Sequence, residues 1–177
     1  MKRSLSLLLI TTLASPGFCR QDSVSKLNFN FGLEQDILPY VFKGYFLSGW
    51  VGANKLRVRA SFATSEIPGF YLTEGIKSDE VMAGGISIEC FFKEGFNGVW
   101  FGPGMGYWVN SYKTMDQASG QNNSFVFSLG GGYNFTIWKR LYASRWLAMH
   151  TRVSGARKVK YGEYQYIPAR FTPEVSY

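Results

Sequence analysis

His150 is the only histidine in the sequence, so it is the one side chain whose type suits general-base work near neutral pH. Such a base needs a nucleophile and an orienting acid within hydrogen-bond reach. No set of a serine and an aspartate near it is evident in the chain, and a structural histidine is the favoured reading. The other residues with chemical capacity are Arg57, Arg59, Glu89, Asn134 and Arg152. If they share an enclosed space with His150, they form a packed polar network in which Glu89 pairs with the arginines, because a lone charge away from water is costly. The competing reading of the set is a cationic pore or a pocket for an anionic headgroup, since arginines outnumber carboxylates in it. No histidine or cysteine cluster has metal-ligand spacing, so neither a zinc site nor a cofactor is expected. Gly102, Gly104 and Gly106 spell GxGxG, but they lie inside an alternating stretch that opens no helix, which argues against nucleotide binding. The basic run Arg157, Lys158 and Lys160 reads as a solvated loop, or as a contact for lipopolysaccharide phosphates if the loops face outward.

The elements that position these residues are strands. From Phe125 onward one parity carries Phe125, Phe127, Leu129, Gly131, Tyr133, Phe135 and Ile137, while the other carries Val126, Ser128, Gly130, Gly132, Asn134, Thr136 and Trp138. That period of two, sustained far beyond the usual strand of about 5 or 6 residues, predicts a long strand with one apolar face. Lys139 and Arg140 then form a tight turn into a second strand over 141–154. The same reading places strands at 26–34, 44–53, 55–64, 80–93, 98–111 and, weakly, 171–177. Connections alternate between long (35–43, 65–79, 112–121, 155–170) and short (around Asn54, 94–97, 139–140). On the polar parity fall Arg57, Arg59, Glu89, Trp100, Trp108, Asn134, Trp146, His150 and Arg152. Pro103 removes a ladder hydrogen bond and predicts a bulge or local bend. Arg145 falls on the apolar parity of its strand, which places it near an interface or calls for a bulge that would move His150 to the other face. The last strand is shorter than the roughly 9 to 11 residues of a spanning strand. Either 164–169 contributes to it or the natural strand continues past Tyr177.

Residues 1–19 have the form of a cleaved leader: Lys2 and Arg3, an apolar run from Leu5 to Ala14, then Ser15, Pro16 and Gly17 before Cys19. The remaining 20–177 make one domain. No later segment reaches the roughly 18 apolar residues of a membrane helix. With Cys19 assigned to the leader, Cys90 stands alone and no internal disulfide is expected. The formal net charge of +7 falls to +5 when Lys2 and Arg3 leave with the leader. In an exported chain that mild excess points to anionic lipid headgroups or sugars before nucleic acid. Aromatics at 18% beside 20 glycines suit aromatic girdles, with glycine wherever large side chains crowd.

The leader, the alternating strands with glycine runs (GPGMGYW at 102–108, GGGYNF at 130–135), the short-then-long connections and the aromatic terminus together resemble the small eight-stranded bacterial outer-membrane barrels of the OmpA, OmpX and OmpW type. The resemblance implies an all-β, antiparallel up-and-down transmembrane β-barrel, monomeric, set in outer-membrane lipid by the barrel-assembly machinery. It implies a non-enzymatic integral envelope protein. Two alternatives stand beside it. One is a lipid-modifying enzyme using His150, although a lipid A deacylase barrel would carry serine where Arg152 stands. The other is a soluble lipocalin-like ligand-binding barrel, which would turn Phe125, Phe127, Leu129, Tyr133 and Phe135 inward.

Overall fold

The computed structural model describes residues 29–72, 75–116, 118–139, 141–156, 159–161, 164–166 and 170–176. Within them the chain is all-β. Eight antiparallel strands run up and down in one sheet: β1 (Phe29–Glu34), β2 (Tyr45–Ala53), β3 (Leu56–Glu66), β4 (Ile76–Phe91), β5 (Gly98–Thr114), β6 (Ser119–Trp138), β7 (Leu141–Gly155) and β10 (Phe171–Ser176), each paired with its neighbours in that order. Strands β8 (Val159–Tyr161) and β9 (Tyr164–Tyr166) form a separate hairpin, and a short helix α1 (Leu38–Val41) follows β1. The leader and the ends of the basic loop, with Arg157 and Lys158, lie outside the described residues, and Lys160 is placed only as a backbone position in β8.

The direction of curl decides which face is inside. In β6 the odd positions Phe125, Phe127, Leu129, Tyr133 and Phe135 are exposed, while Asn122, Ser124, Val126 and Asn134 are buried. The same split runs through β3, where Leu56 and Val58 are outside and Arg57 and Arg59 are inside. The inversion required by a lipocalin-like barrel is therefore not the one adopted. The sheet is strongly curled. Strands β1 and β7 stand at positions one and seven of the order, yet Tyr142 Oη donates to Glu34 Oε1 at 2.5 Å across the interior. Among the described residues no ladder joins β1 to β10.

Several expectations are corrected. The long loop at 112–121 is mostly ladder, with Tyr112 opposite Gly120 and Lys113 opposite Ser119. Tyr112 and Thr114 are buried while Lys113, Ser119 and Gln121 are exposed; with polar residues on both faces, the apolar-polar contrast that marks a strand is missing from this stretch. No bulge forms at Pro103. The β4–β5 register is the same at Ser87↔Gly104 and Cys90↔Phe101, and only the pairings between them are missing, as the absent amide hydrogen requires. Residues 164–166 pair with β8 rather than extending the last strand. Cys90 is disulfide-bonded and not free; the contrary expectation rested on removing Cys19 with the leader. Arg145 keeps the outward parity opposite Tyr133, with no register shift beside it. The shifts of β6 and β7 lie instead at Phe125/Val126 and Thr136/Trp138, beyond His150 on either side, so His150 stays inside.

The edge at β10 has a chemical reason for its proline. Arg152 N donates to Arg170 O at 2.9 Å. Counting by two from that hydrogen-bonded pair turns the amides of Thr172 and Glu174 toward β7 and the nitrogen of Pro173 away from it. An edge position of that kind tolerates a missing donor.

Candidate functional site

The interior divides by height. On the side of the tight turns, Arg57, Arg59, Glu34 and Glu89 form one cluster. Arg57 and Glu89 are fully buried, at 0% exposure. Arg57 Nε donates to Glu89 Oε2 at 2.5 Å and its Nη1 to Glu34 Oε1 at 2.9 Å. Arg59 Nη1 donates to Glu34 Oε2 at 3.0 Å, and its Nη2 pairs with Glu89 Oε1. Two guanidinium groups thus face two carboxylates, each arginine touching both acids. The cations also lie against rings: Arg57 is 5.1 Å from the Trp50 centroid and 5.0 Å from that of Phe91, and Arg59 is 5.1 Å from that of Trp100. Stacking accommodates Arg57 Nη2, which has no hydrogen-bond partner among the described residues.

Strand geometry explains the convergence. Arg57 and Arg59 are two residues apart on β3 and so share a face, and the β4 register puts Glu89 directly opposite Arg57. Glu34 ends β1, two strands away in the order. It reaches the cluster only because the sheet curls. The expected pairing of Glu89 with the arginines is present, but the expected excess of arginine is not, because Glu34 balances it. Glu34, Trp50 and Tyr142 were missed by sequence reasoning. Glu34 carried one usable signal, its place on the polar parity of the first strand.

Below this cluster the turn Glu94–Phe96 folds an aromatic ring into the interior. Phe96 adopts φ 58°, uncommon for a bulky residue. It is held there by burial against Phe91 and Trp50, with ring centroids 5.3 and 5.2 Å away. Asn134 completes the arrangement: its Nδ2 donates to Phe96 O at 3.2 Å, while its Oδ1 accepts from Trp100 Nε1 at 3.2 Å and Ser144 Oγ at 2.7 Å. The site residues therefore do not form one network. Asn134 caps the turn side, and His150 and Arg152 stand apart toward the long connections.

On that other side lies a chamber of about 140 Å³. Its floor is Arg59 with Trp100 and Trp146, and its walls carry Gly85, Gly104, Gly106 and Gly130 together with Ala63, Ala83 and Ala148. Small residues leave the space open where β3 to β7 face one another. His150 and Glu174 line it, with His150 Nε2 at 2.6 Å from Glu174 Oε2. The His150 ring packs on Trp108 at 4.9 Å. Ser128 sits directly opposite His150 in the β6–β7 ladder, but His150 Nδ1 has no hydrogen-bond partner among the described residues. Arg152 Nη1 donates to Ala156 O at 3.0 Å instead of joining the chamber. Among the described residues no three histidine, cysteine or acidic side chains are grouped to hold a metal ion.

No protein-family model, no curated protein and no solved structure matches this chain. What the fold and interior define is an eight-stranded antiparallel meander, apolar outside, with a charged cluster and a chamber inside.

Proposed function

We propose that the chain is a non-enzymatic, integral outer-membrane β-barrel protein of a Gram-negative envelope, monomeric and closed by approach of β1 to β10. The observation that carries the reading is the outer face. Exposed Val58, Ile86, Ile88, Met105, Leu129 and Met149 form its middle. Aromatic pairs flank them on both sides: Phe92 with Phe101 at 5.9 Å toward the turns, and Tyr45 with Phe62 at 5.7 Å toward the long connections. An apolar band between two aromatic girdles, around a polar interior, is what lipid on one side and packed side chains on the other require. Arg145 fits this arrangement, since it stands opposite Tyr133 and four residues from the start of β7, at the turn-side girdle, where a cation costs only about 0–1 kcal/mol. The filled turn side favours a plugged lumen over an open pore, as eight strands leave little free width.

Gel mobility tests the proposal. Membrane fractions run with and without boiling are expected to show two positions for the same chain, the compact one only in the unboiled sample. Recovery in the soluble fraction with a single position would end the reading.

A further inference from the structure

The chamber is neither part of the charged cluster nor required by the barrel reading. Its walls are mainly apolar, with Ser61, Ser87 and Ser128 among the small residues, and three indoles, Trp100, Trp108 and Trp146, reach it. A cavity of about 150 Å³ with apolar walls accepts one benzene-sized group, so 140 Å³ sets the scale of an occupant's body at one ring or a short alkyl chain. The charge at its rim sets the head. The floor cation Arg59 is already matched by Glu34 and Glu89. Of the inward-facing residues that line the chamber, Glu174 alone is exposed, with 44% of its side chain accessible, and this marks the mouth at the β10 edge. At a pH where imidazole is uncharged, the 2.6 Å contact with His150 leaves the Glu174 carboxylate charge unneutralised at that mouth. Arg152 is two residues further along β7 and occupied by Ala156 O.

We propose that this chamber is a binding site for a small cationic amphiphile, a primary amine on a slim apolar body, with the body against the indoles and the ammonium on Glu174. An amine of this kind is matched twice, its ammonium by the carboxylate at the mouth and its apolar body by the indole rings. A carboxylate on the same body would meet like charge at Glu174.

The test uses the full chain folded in detergent micelles at about pH 8.5, where imidazole is neutral and a primary amine is charged. Tryptophan fluorescence is followed during titration with 2-phenylethylamine and, separately, with 3-phenylpropionate. Saturable binding of the amine is expected to be at least about tenfold tighter than that of the acid, the size of one partly exposed charge contact. Glu174→Gln is expected to bring the two within about twofold, and Ala83→Leu, which fills the chamber from β4, to remove saturable binding of both. Ala63→Leu fills the same space from β3 and serves if the first variant does not fold, with circular dichroism as the check. Equal or tighter binding of the acid would overturn the proposal. So would a preference that survives Glu174→Gln, or amine binding that survives both filling variants. Only the curled sheet is required, so a failed gel-mobility test and a failed titration are separate results.

Discussion

On the turn side the interior is filled by large charged and aromatic side chains that contact one another directly, whereas on the side of the long connections the same strands present glycine, alanine and serine and leave a chamber. Both halves use the inward parity of the same strands. In the turn-side half four charges were moved out of water, and each finds opposite charge at contact distance. Burial of that kind is tolerable only when pairing is complete, so this half has little freedom to change. In the chamber half His150 meets Glu174 through one hydrogen bond, and Glu174 is substantially exposed. It tolerates alteration, and that makes it the better place for a ligand. Two halves of one interior thus divide into a part that holds the fold and a part free to vary.

Substitutions put numbers on that division. The largest effect is expected from Glu89→Ala, which leaves both arginines short of a partner in a buried site; removal of one member of such a pair costs about 3–5 kcal/mol. Urea-driven unfolding in detergent, read by tryptophan fluorescence, measures it. A loss under about 1 kcal/mol would mean the cluster is solvated and the two halves are not different in kind. Next comes Gly102→Ala, at the level where the halves meet. A Cβ there would lie 1.8 Å from Ile88 O, a backbone atom that cannot rotate aside, and overpacking of this sort costs about 1–3 kcal/mol. The unboiled fraction on a gel reports it, and an unchanged fraction would show that β4 and β5 can separate next to Pro103. The smallest effect is expected from Glu174→Gln, below about 1 kcal/mol because solvent screens the pair. A larger loss would place Glu174 among the residues that hold the fold and would erase the contrast.

Much of this was legible in the chain. The positions of Arg57, Arg59, Glu89, Asn134 and His150 on one face follow from period-two alternation, and each lies on the inward side. The pairing of Glu89 with the arginines was likewise readable, because a buried charge needs a partner and few acids share that parity. The strand ends were not readable. Residues 112–121 read as a loop because polar residues fall on both parities, and only the β5–β6 ladder, with Tyr112 and Thr114 buried, reveals the strand ends. Nor was the contact of His150 with Glu174, since 24 residues separate them and the register of β10 on β7 brings them together.

By itself the sequence determined which residues share a face, because successive side chains on a strand alternate and no later event changes that count. It did not determine which face is inside, since alternation is symmetric under exchange of the two. The tertiary structure decided that by the direction of curl, which buries Arg57 and exposes Phe125. It also decided the partners that depend on curvature: Glu34 of β1 reaches Tyr142 of β7 only across a curled sheet. Pairing between distant strands is set by register and curvature, which are properties of the whole sheet and of no single stretch of the chain.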